Sequence, residues 1–129
     1  MTLLATLKPM RTRGARKPAR FELRYAPPGD SPLSVGYLEF DGRMWTFVYD
    51  EAYKRRSDLR PIEGFDELGR VYRSTVLFPF FAVRIPDADR EDVKRRLAQE
   101  QVRDPEPTDL LRLFGRRVVS SPAFELVPA

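Results

Sequence analysis

An Asp-Gly pair at positions 41 and 42 separates two runs rich in aromatic and aliphatic residues, at 35–40 and 44–49. Asp-Gly supplies the positive φ values that a tight hairpin turn requires. The pattern therefore predicts an antiparallel hairpin formed by these two runs. Gly36, inside the first run, predicts a bulge or a close approach of another backbone.

A third strand is predicted just before the hairpin. Between residues 20 and 25, Phe21, Leu23 and Tyr25 alternate with charged side chains, which is the period of a half-buried strand. Short strands are also expected at 118–119 and 124–127. The predicted fold class is α+β, with a small hairpin-based antiparallel sheet packed with two to three short helices.

The first helix is expected within residues 75–85, with Ser74 as its N-cap. Pro79 would lie past the first turn, so the helix must kink or begin near Phe78. Phe81 and Ile85 are four residues apart and are expected to face the core. Pro86 ends this element.

Two further helices are predicted downstream. Acidic residues at 89–92 favour the start of a helix that runs to about residue 101 and buries Val93 and Leu97. Thr108 is the expected cap of the last helix, and Gly115 is expected to close it in the left-handed conformation.

The charge of the chain is unevenly distributed. Residues 1–20 contain six Lys or Arg and no acid, so they contribute +6 to a net charge of +4 and leave −2 for the rest. We expect residues 1–20 to form a flexible basic arm and residues 21–129 to form one domain. If the chain binds nucleic acid, the residues expected to contact phosphates are Arg11, Arg13, Arg16, Lys17 and Arg20.

Composition argues against enzymatic activity. The chain has no cysteine and no histidine, which removes thiolate chemistry and the commonest general base and zinc ligand. It also has no glycine-rich phosphate-binding loop, and the acids at 87–92 are explained by a helix N-terminus. We expect a non-enzyme without cofactor or metal. The longest apolar run, 76–83, is too short to span a membrane, so a cytoplasmic location is expected.

Several short motifs follow one another along residues 21–128. They are Val35-Gly36-Tyr37-Leu38, Phe47-Val48-Tyr49, a serine-led aromatic segment (Ser74, Phe78, Phe80, Phe81, Ile85-Pro86) and Leu110-Leu111 followed by Gly115-Arg116. In this order they resemble the N-terminal subdomain of the HipA family of toxin kinases, in a stand-alone, HipS-like form. Residues 64–68, 71–74 and 77–84 are also similar to the segment that precedes HIRAN domains in some bacterial proteins.

The resemblance implies a function without catalysis. In HipA-type kinases the catalytic machinery lies outside this subdomain, so the chain is expected to dock on and restrain a HipA-like Ser/Thr kinase that lacks its own N-terminal subdomain. The setting would be a bacterial toxin–antitoxin system, with a DNA-binding antitoxin as a further partner in the complex. The alternatives are a nucleic-acid-associated module of a bacterial defence or repair complex, and a purely structural assembly subunit.

The partner surface is expected around the helix at 78–85 and the turn that follows it, because this segment has more large apolar side chains than one helix face can bury. Arg84 and Asp87 are expected to share an exposed edge there. The predicted partner-binding residues are Phe78, Arg84, Pro86, Asp87 and Asp89.

Overall fold

The computed structural model describes residues 17–129. Its elements in chain order are β1 (Ala19–Tyr25), β2 (Leu33–Phe40), β3 (Trp45–Tyr49), α1 (Glu51–Lys54), β4 (Tyr72–Ser74), α2 (Pro79–Ala82), α3 (Glu91–Gln99), α4 (Pro107–Phe114) and β5 (Phe124–Pro128). The predicted α+β class is confirmed, with one helix more than expected. None of the helices within residues 17–129 has the length and apolarity to cross a membrane.

The strands form a single antiparallel sheet in the order β4-β3-β2-β1-β5. The predicted hairpin is its centre, with Phe40 opposite Trp45 and Gly36 opposite Tyr49. β1 begins at residue 19, two residues before the expected start of the domain. The strand expected at 124–127 is β5, which pairs with β1 at the edge of the sheet.

Two residues of the hairpin turn have different roles. The side chain of Asp41 accepts hydrogen bonds from the backbone N–H groups of Arg43 at 2.8 Å and Met44 at 2.7 Å. Gly42 has the positive φ, at 106°. Asp41 therefore contributes side-chain acceptors, and only the glycine takes the left-handed conformation that the sequence assigned to both.

Gly36 meets both expectations for it. The register pairs Leu23 with Gly36 but Arg24 with Ser34, so β2 has one unpaired extra residue at this point. A Cβ atom at Gly36 would lie 2.8 Å from Cζ of Phe47 and collide with the carbonyl oxygen of Val48. Only glycine fits where the two strands approach this closely.

The core covers one face of the sheet. Phe47, at the centre of β3, has its ring centroid 4.6 Å from that of Phe65 and 5.6 Å from that of Phe81. These three side chains are almost completely buried. Phe65 comes from the loop before β4 and Phe81 from α2, so the aromatic cluster attaches both segments to the sheet.

A buried tyrosine holds the long loop between α1 and β4. The hydroxyl of Tyr49 accepts a hydrogen bond from the Ile62 N–H at 2.9 Å and donates one to the Phe65 carbonyl oxygen at 2.6 Å. Burial raises the pKa of Tyr49 to about 12. The neutral phenol thus satisfies two backbone groups that would otherwise be buried without partners.

Helix α2 is much shorter than the predicted segment 75–85. It spans only Pro79–Ala82 and begins immediately after Phe78, as Pro79 suggested. Ser74 is not its cap: the Ser74 hydroxyl accepts a hydrogen bond from the Val76 N–H at 3.0 Å. Phe78 has an extended backbone because the residue before a proline avoids the helical conformation.

The last two helices differ from expectation at their ends. α3 buries Val93 and Leu97 as predicted. α4 begins at Pro107, and the N–H of its N-cap Glu106 donates to Oδ2 of Asp109 at 3.0 Å, so Thr108 is an interior helix residue. Gly115 ends α4 with φ −88°, not in the left-handed conformation. The strand expected at 118–119 is a loop.

Candidate functional site

The single turn of α2 separates buried from exposed side chains within a few residues. Phe81 has no exposed surface, whereas Val83, at the end of the turn, is 59% exposed. Phe78 and Phe80 are half-buried on the same turn. The core contacts of Phe81 therefore hold a short apolar segment at the surface in a fixed position.

A second apolar segment faces this one from the loop between α4 and β5. Val119 is 94% exposed, and its neighbour Val118 is half-buried. Together the two segments form what we call the Val83 surface: Phe78, Phe80, Val83, Pro86, Val118 and Val119. Exposed apolar side chains grouped beside clefts are typical of protein-binding sites.

Val83 separates two clefts. One, of about 450 Å³, lies between Phe78 and Phe80 on one side and Ser120 and Ser121 on the other. We call it the Phe78 cleft. The other, of about 520 Å³, is the Arg84 cleft, which lies between α2 and the start of α3 on one side and the 117–122 loop on the other. Its lining includes Val83, Arg84, Pro86, Arg90, Arg117 and Val119.

Arg84 is the unusual member of the Arg84 cleft, because only 3% of its surface is exposed. Its Nη1 atom donates to the carbonyl oxygens of Gly115 at 3.2 Å and Arg116 at 3.3 Å. Nε and Nη2 are buried and have no hydrogen-bond partner within the described residues. Burial lowers the pKa of Arg84 to about 10, so the guanidinium remains charged at neutral pH.

One role of Arg84 is structural. The carbonyl groups at the C-terminus of a helix carry partial negative charge, and Gly115 follows directly after α4. The Arg84 cation stabilises that end and attaches the α2 segment to it. The guanidinium carbon of Arg84 also lies 5.5 Å from the centroid of the Phe80 ring, which is a cation–π contact. Neither contact gives Nε or Nη2 a hydrogen-bond partner.

The other two arginines of the Arg84 cleft have carboxylate partners. Nη2 of Arg90 lies 2.7 Å from Oδ2 of Asp92, and Nη2 of Arg117 lies 3.5 Å from Oε2 of Glu125. Arg84 has no ion-pair partner within residues 17–129. The cleft therefore combines apolar walls with three cations and no acidic lining residue.

No protein-family model, curated protein or solved structure matches this chain. Within residues 17–129, no group of three or more carboxylates is arranged to hold a metal ion.

The expectation that Arg84 is exposed is wrong. Two turns after α2, closed by hydrogen bonds from the N–H of Arg84 to the Phe81 oxygen and from Ile85 to Ala82, direct Arg84 towards the end of α4. Asp87 is exposed as expected. Because Arg84 is buried, the two side chains do not share an exposed edge. Ile85 is half-buried against the core, and Phe81 is fully buried, in agreement with the expectation for both.

The other predicted partner-binding residues lie on or beside the Val83 surface. Phe78 lines the Phe78 cleft, and Pro86 lines the Arg84 cleft. Asp87 and Asp89 are exposed in the turn before α3, where Oδ1 of Asp87 accepts the N–H of Asp89 at 2.9 Å. The prediction missed Val83 and Val119. For Val119, the turn-forming residues at 120–122 were a usable signal against a strand.

Three of the five predicted phosphate-binding residues lie outside the described residues: Arg11, Arg13 and Arg16. Lys17 is exposed. Arg20 lies in β1, where its Nε is 3.0 Å from Oε2 of Glu39 and its guanidinium stacks over the Tyr37 ring at 4.4 Å. Its charge is thus partly neutralised within the fold.

Proposed function

We propose that this chain is a non-catalytic binding subunit that docks through the Val83 surface on a HipA-like Ser/Thr kinase and restrains it. The partner kinase lacks its own N-terminal subdomain, and a DNA-binding antitoxin joins the same complex. The observation that carries the proposal is the exposure of Val83 and Val119 beside two clefts.

Buried contacts hold the segment that carries the Val83 surface, which favours a binding role. Phe81 fixes α2 against the sheet, and Arg84 fixes the following residues against the end of α4. A surface held in its binding conformation loses little conformational entropy on association. Aromatic side chains such as Phe78 and Phe80 are enriched at protein interfaces, where a few well-packed residues contribute most of the binding energy.

The identity of the partner is supported by the sequence motifs. The serine-led aromatic segment that resembles the HipA family contains Phe78, Phe80 and Pro86 of the Val83 surface. The same short stretch therefore contains both a motif that resembles the HipA family and part of the Val83 surface. The nucleic-acid alternative has weaker support, because Arg20 already pairs with Glu39.

Calorimetric titration tests the proposal. The ligand is a HipA-like kinase without an N-terminal subdomain, taken from the reading frame beside this one. We expect a one-to-one complex and slower phosphorylation by the kinase when the chain is bound. A HipA-like kinase that has its own N-terminal subdomain is the control, and it should not bind. Failure of the shortened kinase to bind would contradict the proposal.

A further inference from the structure

One edge of the Arg84 guanidinium has no hydrogen-bond partner among residues 17–129. Its Nε and Nη2 atoms are both buried, and leaving a charged donor unpaired away from water is costly. Nη1 is already occupied by the Gly115 and Arg116 carbonyl oxygens. The two free nitrogens lie on the same side of the planar guanidinium. Such a pair of nitrogens forms a fork that matches the two oxygens of one carboxylate. Because both nitrogens are buried, neighbouring side chains must move for a carboxylate to reach them.

The surroundings of this fork select the ligand further. Arg90 and Arg117 also line the Arg84 cleft, and none of its lining residues is acidic. Its walls include Val83, Pro86 and Val119, which would contact apolar groups next to the carboxylate. A free inorganic anion would satisfy the fork but not these walls.

The carboxylates that contact the other two arginines of the cleft are already engaged, Asp92 with Arg90 and Glu125 with Arg117. Asp87 and Asp89 are exposed in the turn before α3, and neither is bonded to Arg84. No carboxylate of the described residues therefore occupies the Arg84 fork.

We propose that the Arg84 cleft receives an Asp or Glu side chain of a partner protein, flanked by apolar residues that contact Val83 and Val119. The proposal rests on the proposed function only in taking the chain to be a protein-binding subunit. It does not require that the partner is a kinase.

Selection from a display library of short random peptides, with the full chain as bait, tests the proposal. We expect the selected peptides to share an acidic residue beside an apolar one. Changing that residue to Gln or Asn in a synthetic peptide should weaken binding at least about tenfold, and Arg84→Met should have a similar effect. Arg73→Met, on the exposed side of β4, is the control and should leave the affinity unchanged. Selected peptides without an acid, or an acid that can be neutralised without loss, would overturn the proposal.

A second measurement does not depend on the folding of any variant. The Nε–H resonance of Arg84 in the wild-type chain should shift when the acidic peptide is added, and should not shift with its neutral counterpart. Inorganic phosphate is added separately. A shift with phosphate and none with the peptide would overturn the proposal, because the site would then take a free anion.

The outcome is separable from that of the proposed function. If acidic peptides bind at Arg84 but the kinase does not bind, the kinase assignment fails and the carboxylate site stands. If the kinase binds and Arg84→Met leaves its affinity unchanged, the carboxylate site fails and the assignment stands.

Discussion

Nη1 of Arg84 lies 3.2 Å from the carbonyl oxygen of Gly115, which is 31 residues farther along the chain. Val83 precedes the first of these residues, and the loop containing Val119 follows the second. This one contact therefore joins the supports of both apolar segments of the Val83 surface. The arginine that makes this contact is buried and has no carboxylate partner within the described residues.

Arg84→Met should be nearly neutral for stability. The substitution removes an unpaired buried charge and keeps a long apolar side chain, so the lost hydrogen bonds are offset by a smaller desolvation cost. We expect the free energy of unfolding in urea to change by less than about 1 kcal/mol.

Arg84→Glu should instead lower the free energy of unfolding by at least about 3 kcal/mol. It places a carboxylate against the carbonyl oxygens of Gly115 and Arg116 with no donor to satisfy it. Equal stability of the Met and Glu variants would show that position 84 is not buried in solution.

The Tyr49 hydroxyl should link stability to high pH. Burial raises its pKa to about 12, above the value of about 10 for an unfolded chain, so folding favours the neutral phenol. Its contribution to stability is complete below pH 10 and is lost as the pH rises from 10 towards 12. Urea denaturation across this range should show a decline that is smaller in Tyr49→Phe.

At neutral pH, Tyr49→Phe should cost about 1–3 kcal/mol, because the Ile62 N–H and the Phe65 carbonyl oxygen lose their partner. Tyr37→Phe is the matched control, since Tyr37 is only half-buried on the opposite face of β2. A loss of stability in the control as large as in Tyr49→Phe would argue against the buried network.

Gly115 tests whether the end of α4 is as tightly packed as the geometry indicates. A Cβ atom there would lie 2.7 Å from the Leu111 carbonyl oxygen, so Gly115→Ala should cost about 1–3 kcal/mol. Gly69 has open space around it and no positive φ, so Gly69→Ala should change stability by less than about 0.5 kcal/mol. Melting curves of the two variants should therefore differ clearly, and coincident curves would contradict the packing at Gly115.

Local signals predicted β1, β2, β3 and β5 because these strands and the central turn are encoded locally, whereas β4, of only three residues, was not predicted. The Asp-Gly turn, the alternation in β1 and the small residue at Gly36 each act within a few residues. The environment of Arg84 is different, since its partners are carbonyl groups more than 30 residues away. An arginine three residues before an aspartate favours an exposed interpretation, and only the tertiary contact with the end of α4 reverses it.

The candidate site was predicted in part for the same reason. Phe78 and Pro86 were accessible to the sequence argument because proline and aromatic residues cluster there. Val119 was not, because its exposure depends on the path of the loop between α4 and β5. A valine pair can equally form a buried strand, and the neighbouring residues decide between the two.

The most direct test of the account compares kinase binding by Val119→Asp and Val76→Asp. Both valines are exposed, at 94% and 71%, so neither substitution should lower the melting temperature appreciably. Val119 belongs to the Val83 surface, whereas Val76 lies in the turn between β4 and α2, outside both clefts. Val119→Asp should weaken calorimetric binding of the shortened HipA-like kinase at least about tenfold, and Val76→Asp should bind as the wild type does. Wild-type affinity in Val119→Asp, or an equal loss in both variants, would contradict the assignment of the Val83 surface as the docking site.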